Sequence, residues 1–198
     1  MTLALFRSPV EGLTILPGRA SSPDIERHVE AIAAIAPFRN QVTPGGRAMS
    51  VASTNCGAVG WVSDRSGYRY CETDPLSGAA WPPIPEAWLE LSRACALEAG
   101  FRGFEADACL VNRYDVGARM GLHQDKDEKD FSQPIVSVSL GASAVFLWGG
   151  ATRSERPVKV DLHHGDVVVW GGAARLRFHG VAPIAGGLRH NLTFRRAR

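Results

Sequence analysis

The chain has 198 residues, 45% of them hydrophobic and 21% charged, with a formal net charge of +2. This is the composition of an ordinary soluble globular protein, and the charge is too mild for a protein that holds nucleic acid by bulk electrostatics alone. No apolar run approaches the roughly 18 residues of a membrane span, Arg7 and Pro9 interrupt the only signal-like start, and the four cysteines form no C-x-x-C pair, so a cytoplasmic protein with no membrane partner and no zinc knuckle is expected.

Residues 22–36 read as a helix: Ser22 can cap it, Pro23 fits its first turn, and Ile25, Val29, Ile32 and Ile35 recur at helical spacing before Pro37 stops it. The tract 42–85 is rich in Gly, Ser and Pro, with TPGG and TNCG as turn signals and Trp61, Tyr68, Tyr70 and Trp81 spread through it. Irregular or short-stranded structure is expected there. Residues 84–100 form a second helical pattern, with Pro85 near its start, Trp88, Leu91 and Cys95 on one stripe, and Gly100 at its end.

From Asp107 the pattern changes to short β-type runs: ACLVNRY, PIVSVSL, AVFLW, VKVDL, DVVVW, RLRFHGV and RHNLTFR. Closely spaced strands with no helices between them predict an antiparallel sandwich of jelly-roll type, an α+β but mainly β fold with two supporting helices.

The stretch MGLHQDKDEKD, residues 120–130, reads first as a solvated charged turn. Within it, His123 and Asp125 would share one face of a strand, about 7 Å apart. With one more histidine they would complete the two-His, one-carboxylate set that leaves positions open on Fe(II). His28 falls on the polar part of the first helix, His163 and His164 sit in a turn, and His190 alternates with Leu192 and Phe194. His179 is followed by Gly180, where backbone must pass close to something, and the sequence leaves it open between a ligand and a hydrogen-bonded structural histidine.

The last strand places Arg189, Asn191, Thr193 and Arg195 on one face, either a solvated surface or a pocket wall. Asn112 and Tyr114 share a face on an earlier strand, and with two guanidinium forks opposite they would suit a small dicarboxylate.

TPGG, TNCGAVGW, NRY, HQDKDE, PIVSVSLG, HGDVVVWGG, RFHG and NLTFR, running in order from about Pro37 to Arg195, resemble the motifs of the bacterial AlkB family. The resemblance implies a single dioxygenase domain over residues 1–198. A helix and nucleotide-recognition lid would occupy about 1–105, and a double-stranded β-helix about 106–198. It implies Fe(II), 2-oxoglutarate and O2 as cofactors, with His123, Asp125 and His179 as iron ligands and the catalytic centre. Arg195 would meet the far carboxylate of 2-oxoglutarate, helped by Asn112, Tyr114 and Asn191, with Arg189 near the iron-side carboxylate. Trp61 and His123 would sandwich a flipped base, and Asp127, on the same alternating face as Asp125, would meet its edge. Tyr68 and Trp170 would be aromatic positions around the pocket, with a plain core role also open to Trp170. Met49 and Thr43 would belong to the lid, and Arg153 would contact the nucleic-acid backbone.

The implied activity is oxidative demethylation of bases such as 1-methyladenine and 3-methylcytosine, in single- or double-stranded DNA and by extension RNA, by a monomer. Arg47, where an aromatic residue is expected, and the short connection 181–188 depart from the family pattern. Two other readings stand beside it: an oxygenase of the same fold acting on protein or a small molecule, and a jelly-roll binding module whose H-x-D is incidental.

Overall fold

A computed structural model describes residues 12–198; Arg7 and Pro9, on which the signal-sequence argument rests, lie outside them. Seven strands form the major sheet in the order β1-β11-β8-β13-β6-β3-β2. These are β1 (Thr14–Leu16), β2 (Arg39–Val42), β3 (Ala48–Gly57), β6 (Ala108–Tyr114), β8 (Ile135–Gly141), β11 (Val167–Trp170) and β13 (Arg189–Arg195). The minor sheet runs β10-β9-β12-β7, built from β7 (Met120–His123), β9 (Ala144–Trp148), β10 (Val158–Leu162) and β12 (His179–Val181). A separate hairpin pairs β4 (Gly60–Asp64) with β5 (Gly67–Cys71).

Every pairing within these sheets is antiparallel, as the absence of crossover helices requires. Alternation sorts the major sheet's residues between two interiors. Val136, Val138, Val167, Val169, Leu192 and Phe194 face helices α1 (Pro23–Ile35) and α2 (Glu86–Glu98). Ile135, Val168, Trp170 and Tyr114 face the minor sheet's Phe146, Trp148, Val160 and Leu162. Trp88 fixes the helical layer: fully buried, it donates its indole N–H to the Ile25 carbonyl at 3.1 Å and meets Phe194 edge-on.

The helices fall where periodicity predicts, with Gly100 in the left-handed region at φ +94° just past α2. Ser22 occupies the N-cap of α1 without a side-chain capping bond, and Ile35, expected on the apolar stripe, is exposed. The tract 42–85 is more regular than its composition suggests. It contains the ten-residue β3, which pairs with β6 in the major sheet from Ala52 to Gly57. The N-terminal half thus contributes β1, β2 and β3 to the sheet that carries the jelly roll, beyond the expected core of 106–198. The run RLRFHGV is strand only from His179, because Gly172–Ala174 form a 3-10 turn and Arg175 is drawn inward behind it.

Candidate active site

The two sheets and the β4–β5 hairpin enclose a cavity of about 990 Å³. Every residue expected in the site lines it: Thr43, Met49, Trp61, Tyr68, Asn112, Tyr114, His123, Asp125, Asp127, Arg153, His179, Arg189, Asn191 and Arg195.

At one end, antiparallel pairing of β7 with β12 sets His179 directly opposite His123, with ring centroids 4.4 Å apart. Asp125 follows β7 and reaches both rings, its oxygens 3.6 Å from His123 Nε2 and 3.8 Å from His179 Nε2. Ligand atoms from these three residues all lie within 4.8 Å of one another. His123 Nδ1 faces the Gly121 carbonyl at 2.9 Å and His179 Nδ1 the Arg177 carbonyl at 3.1 Å. A carbonyl only accepts, so Nδ1 of each ring carries a proton and Nε2 is the atom turned toward Asp125, the one a metal would take. Gly180 makes the approach of the strands possible, because a Cβ there would stand 2.7 Å from the Met120 carbonyl oxygen. This is the close backbone contact that the His179-Gly180 dipeptide foretells.

Burial pushes His179 down to about 3, with the neighbouring His123 adding to the effect, so its ring is neutral at physiological pH. Burial by itself would raise the Asp125 carboxyl. The Arg195 guanidinium, with His179 and His123, outweighs it and holds Asp125 ionised, well below the usual carboxylate range. The neutral His179 imidazole, the facing His123 ring and an ionised carboxylate suit a divalent cation of the Fe(II) kind.

The polar face of β13 lines the cavity's depth and is buried, as is the apolar face that carries Leu192 and Phe194. Asn191 donates to Ser137 Oγ at 2.7 Å and accepts from Thr193 Oγ1 at 2.9 Å, while Asn112 approaches it at 3.5 Å from β6. Arg195 donates to Asp125 from Nη2 at 2.9 Å and from Nε at 3.2 Å. Arg189, at the opposite end of β13 and 1% exposed, packs over the Tyr114 ring and donates from Nη2 to Ser139 Oγ. Its Nε and Nη1 are buried without a hydrogen-bond partner. In position, the two arginines lie the other way round from the expectation. Six residue steps of strand, about 20 Å of backbone, separate them, and Arg195 is the one beside the triad. Burial lowers Arg189, and its free donors form a fork suited to an anionic carboxylate. Triad and fork together match the two ends of a metal-chelating dicarboxylate.

At the mouth, Trp61 from β4 stacks on Tyr68 from β5 with centroids 5.6 Å apart, and its indole N–H donates to Asp127 at 2.8 Å. Arg153 packs over Phe178 beyond β9. Trp170 is 2% exposed, lies 4.8 Å from the His179 ring and leaves its indole N–H unpartnered, so it serves the core and the site wall at once.

The charged stretch divides differently from its expected pattern. β7 ends at His123, so strand alternation does not place Asp127; the irregular segment that follows does. Glu128, expected in a solvated turn, is buried, accepting from Tyr70 Oη at 2.6 Å and from Arg175 Nη2 at 3.0 Å, with Arg195 Nε 3.3 Å away. Sequence reasoning missed Glu128, Tyr70 and Arg175, since nothing in a charge-rich run or in RLRF distinguishes a buried ion pair from a solvated one.

Residues 12–195 match the 2OG-Fe(II) oxygenase superfamily. The chain is 52% identical over 173 residues to the alpha-ketoglutarate-dependent dioxygenase AlkB of Salmonella typhimurium, covering 84% of this chain and 80% of that protein. It is 38% identical over 125 residues to the mouse nucleic acid dioxygenase ALKBH1, covering 63% of this chain and 32% of that protein. The solved structure of OsALKBH1 superposes with a TM-score of 0.82 at 30% identity, over 96% of this chain and 99% of that one.

Proposed function

The chain belongs to the 2OG-Fe(II) oxygenase superfamily and, within it, to the AlkB family, and on that premise we propose that it removes N-methyl groups from cationic bases, 1-methyladenine and 3-methylcytosine, in DNA. It is an alpha-ketoglutarate-dependent dioxygenase acting on nucleic acid, and Fe(II), 2-oxoglutarate and O2 are its cofactors. The carrying observation is a His-Asp-His cluster, with Asp125 and His179 buried and His123 half-buried, in one cavity with an unpartnered arginine fork and an aromatic mouth that ends in a carboxylate.

His123, Asp125 and His179 would hold the iron. Arg189 would take the far carboxylate of 2-oxoglutarate beside Tyr114, and Arg195, already on Asp125, would steady the metal end. When bound, the cofactors couple oxidation of 2-oxoglutarate to succinate and carbon dioxide with hydroxylation of the methyl group, which then leaves as formaldehyde.

The protein's own residues supply placement and selection. A base must leave its stack, at a cost of a few kcal/mol that is lower for a lesion with a blocked pairing edge. Stacking against Trp61 returns about 1–3 kcal/mol. Asp127 is held at the base's edge by Trp61 and presents a negative charge, which favours an alkylated base carrying a positive one. Thr43 and Met49 line the mouth from the β2–β3 side and would belong to the lid, and Arg153, which also lines the cavity, would contact a phosphate. Double- and single-stranded DNA both remain open to the pocket, RNA is a second substrate of the same chemistry, and we assign the working unit as a monomer.

The test is formaldehyde release from oligonucleotides bearing 1-methyladenine, 3-methylcytosine or an etheno adduct, in DNA and RNA form, with iron, ascorbate and 2-oxoglutarate. Release from the methylated DNA is expected, and no release from any substrate overturns the proposal.

A further inference from the structure

We propose that Arg175 is a positioning residue that sets Asp125 and Asp127 together, so that metal binding and base reading depend on one buried guanidinium. The base-reading half of this inference rests on the function proposed above. Residues 124–134 link β7 to β8 without helix or strand, yet they carry both carboxylates of the site. Such a segment needs its backbone groups satisfied from outside. Arg175 does this at two points and holds a side chain of the segment at a third. Its Nη1 donates to the Asp125 carbonyl at 2.7 Å, its Nη2 to the Glu128 carboxylate at 3.0 Å and its Nε to the Gln133 carbonyl at 3.0 Å. The guanidinium is also packed over the Phe131 ring, and the residue is 2% exposed.

Asp127 lies between the anchored positions 125 and 128, so its backbone is held on both sides. Glu128 extends the clamp, because its other oxygen lies 3.3 Å from Arg195 Nε, and Arg195 in turn holds the Asp125 side chain. Asp125 is thus fixed by Arg175 through its backbone and by Arg195 through its carboxylate. Arg175 also stands four residues before His179, at the end of the 3-10 turn leading to β12. One residue therefore ties the segment carrying the carboxylate ligand to the segment carrying a histidine ligand. A planar fork with donors in three directions can do this, and a lysine ammonium on a flexible stem cannot span the same acceptors.

The experiment compares the wild type with Arg175→Ala and Arg175→Lys. Mn(II) is titrated without 2-oxoglutarate or oligonucleotide and followed by the electron paramagnetic resonance of the free ion, while KM is measured on 1-methyladenine and etheno-adenine oligonucleotides. Loss of a partner that orients a metal ligand weakens affinity about 10–100-fold. That loss is expected in Arg175→Ala, with partial recovery in Arg175→Lys or on adding methylguanidinium, and with reduced preference for the cationic lesion. If Arg175→Ala fails to fold, Arg175→Lys carries the test. Wild-type Mn(II) affinity in a folded variant overturns the inference, including the case where only thermal stability falls. A wild type that binds Mn(II) but releases no formaldehyde overturns the function and leaves the clamp to be judged on metal affinity.

Discussion

The indole N–H of Trp61 donates to the Asp127 carboxylate at 2.8 Å, joining the β4–β5 hairpin to the segment that carries Asp125, the proposed metal ligand. Two roles of Asp127 can then be separated. Asp127→Asn keeps an oxygen to accept from Trp61 but loses the charge, whereas Asp127→Ala loses both. Asp127 is exposed, so its attraction for a cationic base is worth about 0.2–1 kcal/mol. Asp127→Asn should therefore reduce the preference for 1-methyladenine over a neutral etheno adduct by about fivefold at most. Asp127→Ala should also raise KM on both. Competition assays with mixed oligonucleotides measure this, and unchanged preference in Asp127→Asn removes the charge argument.

Arg189 and Arg195 should respond differently. Arg189→Gln should raise KM for 2-oxoglutarate by about 30-fold or more, the low end of the 2–5 kcal/mol lost when one partner of a buried charge pair is truncated. Its Mn(II) affinity should stay near that of the wild type. Arg195→Gln should weaken Mn(II) binding as well, because it removes the guanidinium that holds Asp125. The reverse pattern would restore the division read from the sequence.

His179→Ala and Asp125→Ala should each abolish stoichiometric Mn(II) binding while the far-ultraviolet circular dichroism is retained. A variant of either kind that still binds one equivalent tightly places the metal elsewhere.

Gly180→Ala should damage the site without touching a ligand. The added methyl would meet the Met120 carbonyl at 2.7 Å and the Gly121 backbone at 3.1 Å, so β12 must move off β7 and carry His179 away from His123. Weaker Mn(II) binding with a modest fall in Tm is expected, and both are read in one titration and one melting curve.

Burial pushes the Tyr114 phenol up to about 12, against the nearby Arg189 guanidinium, which lowers it. The folded state thus favours the neutral phenol. Its contribution is fully present below the unfolded value near 10 and is lost as pH rises from about 10 to 12, roughly 2–3 kcal/mol in all. Tyr114→Phe should remove that part of the alkaline decline. Urea midpoints of both proteins at pH 9 and pH 12 test it: their difference should change between the two pH values, and a constant difference contradicts it.

Much of the fold could be read from local patterns. Helical spacing located α1 and α2, and alternation placed Leu192 and Phe194 opposite Asn191 and Thr193. The strand β3 was obscured because TNCG resembles a turn signal, yet its residues from Ser53 to Cys56 are buried and paired with β6. The pairing partner lies more than 50 residues away in the chain, and strand formation there depends on that partner more than on local propensity. The H-x-D signal was visible, but the ligand status of His179 from residues alone was not, since its opposition to His123 exists only across β7 and β12.

The sequence by itself determined which side chains share a face of β13, where the chain must pass close to itself at Gly180, and which chemical groups the site has to work with. Tertiary structure decided which arginine of β13 lies beside Asp125, and that Glu128 of the charged run forms a buried ion pair with the distant Arg175. The reason is geometric. A period of two assigns a residue to a face, but the end of the strand that meets a loop, and the cation that meets a carboxylate there, depend on contacts between segments far apart in the chain.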